Sequence, residues 1–269
     1  MKPAAFEYIQ AASVEEAIQA LADHPQAKIL AGGQSLVPLM NFRLNRPGML
    51  VDVNNIDDLA TIAVKDAGLA IGSLVRHQRL VEDALIGDRL PILAQAASHI
   101  GHWAIRNRGT IGGSLAHADP AAELVALMIA LNGTLVVRSH RGVRRLTADE
   151  FFLGYFTTAL EPTEIIVQCE IPAPTGRMGF SEVVRRPGDF ALAGAIVAQS
   201  GAAGWVTWFG LGSRPERFSV SHWGQDDGER HAMLGELATR MMLAEDEEYK
   251  RDIAVNAAMR AYRQIKEGK

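Results

Sequence analysis

Cysteine is almost absent from this 269-residue chain, in which Cys169 stands alone. One thiol can form neither an internal disulfide nor the thiolate set of an iron–sulfur cluster, so any such centre in the same assembly belongs to another chain. Positive charge is not in excess either: 27 Lys and Arg against 31 Asp and Glu leave a formal charge of −4. With the arginines scattered, nothing supports the basic face that nucleic-acid binding requires. No apolar run approaches the roughly 20 residues of a membrane-spanning helix, and no charged-then-apolar leader opens the sequence, so a soluble cytoplasmic protein without a membrane span is expected. Also missing are a G-x-G-x-x-G in a strand–turn–helix context, a phosphate-binding G-x-x-x-x-G-K-[ST] and an H-E-x-x-H. His99 and His102 flank Gly101 without a carboxylate or cysteine at ligand spacing, and no metal is expected there.

What the chain does have is 48% hydrophobic and 22% charged residues, enough for one large or two moderate domains with real cores. Two glycine pairs stand out in the N-terminal half: Leu30-Ala31-Gly32-Gly33-Gln34-Ser35 and Thr110-Ile111-Gly112-Gly113-Ser114. A glycine pair permits positive φ and close approach of backbone amides to a ligand, and Ser35, Thr110 and Ser114 add hydroxyl donors. Two such loops facing each other suit a pyrophosphate; for either loop alone, an ordinary turn is the competing reading. His117-Ala118-Asp119-Pro120 follows the second pair and brings polar groups near whatever it binds, or is simply a turn into a helix. Arg106 and Arg108 could address phosphate or a subunit surface. In Arg185-Arg186-Pro187-Gly188-Asp189-Phe190-Ala191 a turn presents Phe190 either to a planar ring or to the core.

Periodicity places a first helix from the capping-box sequence Ser13-Val14-Glu15-Glu16 to about Ala22. Strands follow at 28–31 and 49–53 with a short helix at 35–44 between them, a β-α-β unit with the glycine loop at a strand end. A second α/β subdomain is expected from a strand at 69–72, helices at 90–100 and 121–131, and strands at 133–138 and 164–171, with another capping box at Thr147 to Glu150. Pro172-Ala173-Pro174-Thr175-Gly176 marks a domain boundary. Beyond it, strands at 178–186, 191–199 and 204–211 precede helices at 231–243 and 247–265, an α+β arrangement.

Together these segments resemble the FAD-binding medium subunit of the molybdenum hydroxylases, the family of xanthine dehydrogenase and carbon monoxide dehydrogenase. Lys2 to Tyr8 looks like the family's opening, Leu30 to Met40 its first FAD loop, Arg106 to Ser114 with His117 to Pro120 its second, and Gly188-Asp189-Phe190-Ala191 its C-terminal half. The resemblance implies an α+β chain. Residues 1–172 would form a two-part FAD-binding domain of the vanillyl-alcohol oxidase (PCMH) type, with subdomains at about 1–55 and 56–172. Residues 173–269 would form the flavoprotein C-terminal domain. It also implies that Leu30, Ala31, Gly32, Gly33, Gln34, Ser35 and Leu36, with Thr110, Ile111, Gly112, Gly113, Ser114 and Asp119, surround the FAD pyrophosphate and its neighbours. Glu123 would reach the adenosine ribose, Ile100 and Ile166 would line the cofactor, and Phe190 would stand near the isoalloxazine.

The function so implied is that of an electron exit in a heterotrimer. A large subunit would carry the molybdenum cofactor, a small subunit two 2Fe-2S clusters, and an external acceptor would take electrons from FAD on this chain, with no catalytic acid or base needed here. Two departures stand out. Ser181-Glu182 replaces a lysine common near the flavin, and Leu243 to Glu248 is more acidic than the family's tail. The rivals are a stand-alone flavoenzyme of the same fold, for which His77 is the one candidate acid or base, and a non-catalytic assembly subunit.

Overall fold

The computed structural model describes residues 1–241 and 248–268. Strand β1 (Glu7–Gln10) leads to helix α1 (Val14–Asp23), strand β2 (Ala27–Leu30), helix α2 (Leu36–Asn41) and strand β3 (Met49–Asp52). Ser13 caps α1 by accepting the Glu16 N–H at 3.1 Å, while the Glu16 carboxylate accepts the Ala12 N–H at 2.7 Å. Val14, Ala17, Ile18 and Leu21 then fall on one face and bury it. The three strands form a parallel sheet in the order β1-β3-β2, so the first glycine pair leaves the C-terminal end of β2 as expected. Strand β1 was invisible to periodicity because Glu7-Tyr8-Ile9-Gln10 is a largely exposed edge strand.

The middle of the chain departs from the α/β reading. A hairpin of β4 (Ile62–Lys65) and β5 (Gly68–Gly72) is followed by a block of six helices: α3 (His77–Glu82), α4 (Ala84–Arg89), α5 (Pro91–His99), α6 (Trp103–Arg106), α7 (Ile111–His117) and α8 (Glu123–Ala130). Strands β6 (Thr134–Ser139) and β7 (Gly142–Thr147), helix α9 (Ala148–Phe151), the small hairpin β8 (Phe152–Gly154) and β9 (Thr157–Thr158), and β10 (Ile165–Ile171) complete it. The five-stranded sheet runs β4-β5-β10-β6-β7 and is antiparallel throughout, because the helices come together instead of alternating with strands. Helix α8 is apolar all round beyond Glu123, and all eight of its residues are buried.

After the Pro172 to Gly176 interruption, β11 (Arg177–Val183), β12 (Ala193–Ser200), β13 (Ala203–Phe209) and β14 (Glu216–Val220) form an antiparallel meander, covered by α10 (Asp227–Thr239) and α11 (Glu248–Glu267). Both faces of this sheet are buried. Phe180, Ile196 and Phe209 join the core built on α5 and α8, while Val197, Val206 and Trp208 face α10 and α11. The Trp208 indole donates to the Ala254 carbonyl at 3.0 Å. The α+β architecture therefore holds across the described residues. Of the acidic tail, residues 243–247 lie outside the described residues, while Tyr249, Lys250 and Arg251 fall in α11.

Candidate functional site

The first glycine loop has the backbone freedom its sequence suggests. Gly33 sits at φ +71°, and the N–H groups of Gly33, Gln34 and Ser35 have no hydrogen-bond acceptor among the described residues. Its carbonyls are engaged, that of Gly33 by the Val37 N–H at 3.1 Å and that of Gly32 by the Gln34 side-chain amide at 3.0 Å. Free successive amides beside occupied carbonyls make an anion-binding concavity.

The second glycine pair works differently, which corrects its reading as a positive-φ loop. Thr110 is the N-cap of α7, and its hydroxyl accepts the Gly113 N–H at 3.1 Å. The remaining amides are also spent: Ile111 donates to Val75 at 3.0 Å, Gly112 to Ser73 at 2.9 Å and Ser114 to Thr110 at 3.1 Å. Gly112 is small because the chain behind it is close, a Cβ there falling 2.5 Å from the Ser73 Cβ and 2.8 Å from its carbonyl oxygen. This loop therefore offers a ligand the Ser114 hydroxyl and the start of α7, not a row of amides.

The two loops meet. A Cβ on Gly32 would lie 2.7 Å from the Gly109 Cα and overlap the Arg108 carbonyl, so the backbones touch at this point. Around their junction runs a cleft of about 540 Å³, within the roughly 300–1,000 Å³ usual for cofactor sites. Of the residues singled out in the sequence, Ala31, Gly32, Gly33, Gln34, Ser35, Leu36, Thr110, Gly112, Gly113, Ser114 and Ile166 line it. Leu30, Ile100, Ile111, Asp119, Glu123 and Phe190 do not. Ile111 is in the core, Glu123 is buried at the start of α8, and Phe190 is 61% exposed on its turn.

Other walls come from His117, which the sequence singles out, and from a hairpin that no local motif marks. His117 lines the cleft and its ring lies 5.1 Å from that of Phe156, which stands at the tip of the β8–β9 hairpin with φ +50°. Thr157, Thr158, Leu160 and Ile165 continue that wall. A hairpin tip reads as a turn in sequence, and only the fold brings it over the glycine loops. At the other end, Leu21 and Ile29 give an apolar floor.

His77 also reaches the cleft, buried, with Nε2 3.2 Å from the Ser114 hydroxyl and Nδ1 without a hydrogen-bond partner among the described residues. Burial, reinforced by the Arg76 and Arg106 guanidinium groups and opposed by the Thr110 backbone, pushes its pKa down to about 4. The imidazole is neutral, and its tautomer decides which of the pair donates: protonated at Nε2, it leaves the Ser114 O–H free to donate to an anion. Arg106 does not address the cleft. Its guanidinium binds Gln78 at 3.0 Å and the Ser98 and Ile100 carbonyls at 3.2 Å each, closing the end of α5. Glu123 is pushed up to about 8, first by burial and then by the carboxylates of Glu182 and Asp119. Glu182 occupies the position discussed for a lysine, and its buried carboxylate pairs with His99 at 3.0 Å.

The family model described as the FAD binding domain in molybdopterin dehydrogenase matches residues 4–174. The chain belongs to this family. As a family member it is an FAD-binding subunit of a molybdenum hydroxylase, an oxidoreductase. Subunit alpha of the 6-hydroxypseudooxynicotine dehydrogenase complex of Paenarthrobacter nicotinovorans is 48% identical over 198 residues, 72% of this chain and 67% of that one. Caffeine dehydrogenase subunit beta of Pseudomonas sp. (strain CBB1) is 42% identical over 73% of this chain and 68% of its own. Quinoline 2-oxidoreductase from Pseudomonas putida 86 superposes with a TM-score of 0.92 at 37% identity, covering 100% of this chain and 99% of that chain.

Proposed function

We propose that this FAD-binding subunit carries the cofactor in the cleft between its glycine loops and acts as the electron exit of a heterotrimeric, cytoplasmic molybdenum hydroxylase. It takes electrons from the 2Fe-2S clusters of a small subunit, while a large subunit with the molybdenum cofactor oxidises the substrate, and it delivers them to an external acceptor. The observation that carries the reading is the row of unpaired amides at Gly33, Gln34 and Ser35 in the same cleft as the Ser114 hydroxyl. When bound, FAD supplies the reversible redox chemistry that no side chain here can provide.

In this reading the amides from Gly33 to Ser35 and the hydroxyl of Ser114 donate to the pyrophosphate. Ala31, Gly32, Leu36, Thr110, Gly112 and Gly113 shape its walls, with Leu30, Ile111 and Asp119 behind them. Ile166 covers an apolar part of the cofactor, while Ile100, Glu123 and Phe190, which stand outside the cleft, would meet it only where it extends beyond these walls. His77 holds the Ser114 hydroxyl in place and transfers no proton. Residues 1–172 form a two-part PCMH-type domain divided near residue 55, and residues 173–269 form the flavoprotein C-terminal domain. The relatives are named for substrates as different as caffeine and 6-hydroxypseudooxynicotine, which fits substrate recognition on another subunit.

The test is the visible spectrum of the purified chain with the released cofactor identified. An oxidised-flavin spectrum and released FAD are expected. A colourless protein that takes up no added FAD, alone or with its partner subunits, would overturn the reading.

A further inference from the structure

Behind the cleft, on residues that do not line it, a polar chain ties the two glycine loops together. The Tyr8 hydroxyl donates to Asp52 Oδ2 at 2.7 Å. Asp52 Oδ1 accepts from the Asn54 backbone N–H at 2.8 Å and from its side-chain amide at 2.6 Å. The same amide donates to the Ala31 carbonyl of the first loop at 2.9 Å. Asn54 Oδ1 accepts from Arg76 Nη2 at 2.7 Å, and Arg76 Nη1 donates to the Arg108 carbonyl, just before the second loop. One primary amide and one guanidinium thus hold one carbonyl from each loop, at the point where Gly32 and Gly109 are in backbone contact. Four further hydrogen bonds and the buried carboxylate of Asp52 support these two contacts, all from residues that do not line the cleft.

We infer that Arg76 and Asn54, anchored by Asp52 and Tyr8, are positioning residues that set the separation of the two glycine loops and so the affinity for FAD. The inference rests on the FAD reading above. Its physical basis is geometric. The donor set comprises three amides on one loop and a hydroxyl on the other, and a diphosphate is bridged only if both stand at the right span at once. The planar fork of Arg76 matters because it reaches two acceptors with two nitrogens, Asn54 Oδ1 and the Arg108 carbonyl. A lysine keeps the positive charge but, as a compact point donor, does not reproduce that fixed fork. Asn54 matters because a side-chain amide donates to one loop while accepting from the guanidinium that holds the other. Neither role follows from charge alone.

The experiment is a titration of the full-length chain with FAD, followed by flavin fluorescence, for wild type, Asn54→Leu, Arg76→Lys and the double variant, with melting of each apoprotein recorded alongside. Both single variants are expected to weaken FAD binding at least tenfold. The double variant should be no weaker than the worse single, since both cut the same connection, whereas independent losses would multiply. Wild-type affinity in Arg76→Lys would show that charge suffices and overturn the clamp, as would multiplicative losses. If the Asn54 or Arg76 variants fail to fold, Tyr8→Phe carries the test, because it removes one hydroxyl at the outer end of the chain. A two- to fivefold weaker affinity supports the clamp, and an unchanged one overturns it. Wild-type uptake reads the FAD assignment separately: no uptake by wild type overturns that assignment and the clamp with it, while uptake with unchanged variants overturns the clamp alone.

Discussion

Gly33 and Gly112 occupy matching places in two similar-looking motifs and are glycine for different reasons. At Gly33 the reason is conformation, since φ is +71° and the nearest obstacles to a Cβ are side-chain atoms of Val37 and Leu30 beyond 3 Å. Gly33→Ala should cost about 1–2 kcal/mol in left-handed strain, turn the free amides away and reduce FAD uptake with a modest loss of apoprotein stability. At Gly112 the reason is contact with Ser73. Gly112→Ala should lower the melting temperature of the apoprotein well beyond Gly33→Ala, because α7 must move off residues 73–75. Melting and FAD titration of the two variants test this, and a Gly112→Ala apoprotein that melts like wild type would contradict it. Glu123 offers a second residue-scale test. Its folded pKa of about 8 lies above its ordinary 4.5, so the stability tied to its proton is complete below about pH 4.5 and lost as pH rises toward 8. His77, depressed to about 4 from 6.5, has the opposite sign and loses stability as pH falls through that range. Between pH 6.5 and 8 the histidine no longer contributes a slope and the glutamate does. Glu123→Gln should therefore gain several degrees on wild type between pH 6.5 and 9, and parallel melting curves over that interval would count against a buried, protonated carboxyl.

Among the elements, α11 shows how small residues create a contact. Ala254, Ala257, Ala258 and Ala261 are fully buried on the face that carries Val255 and Ile265, and the Trp208 indole reaches between them to the Ala254 carbonyl. Close packing leaves no room for added methylenes. Ala258→Leu should destabilise by about 1–3 kcal/mol through overpacking, while Asn256→Leu on the exposed side should change little. Chemical denaturation compares them, and equal midpoints would refute close apposition of helix and sheet. The helix α1 was legible in sequence down to its cap, because Ser13 and Glu16 act over three residues. The β8–β9 hairpin and the wall formed by Phe156 were not, because its place over the cleft is set by pairing and packing far along the chain. The exposed edge strands β1 and β4 escaped for a different reason: with few buried side chains, their sequences carry no alternation to read.

For the whole molecule, FAD binding should appear as stability. A ligand at a hundred times its dissociation constant adds about 2.7 kcal/mol, which for a chain of this size raises the melting temperature by roughly 5–10 °C. Titrating FAD into the apoprotein during thermal melts checks it, and a concentration-independent melting temperature would contradict specific binding to the folded state. Sequence alone determined the glycine pairs, the solitary Cys169, the order of most strands and helices, and the family to which they belong, because each is written in local spacing and composition. Tertiary structure decided what local spacing cannot encode. It made one glycine pair a row of free amides and the other the tightly packed start of a helix, gathered the middle strands into an antiparallel sheet, and set His77, His117 and Phe156 around one cleft. The reason is physical: backbone amides and side chains acquire their roles from the partners that folding brings within hydrogen-bonding or van der Waals range, and those partners lie tens of residues away in the chain.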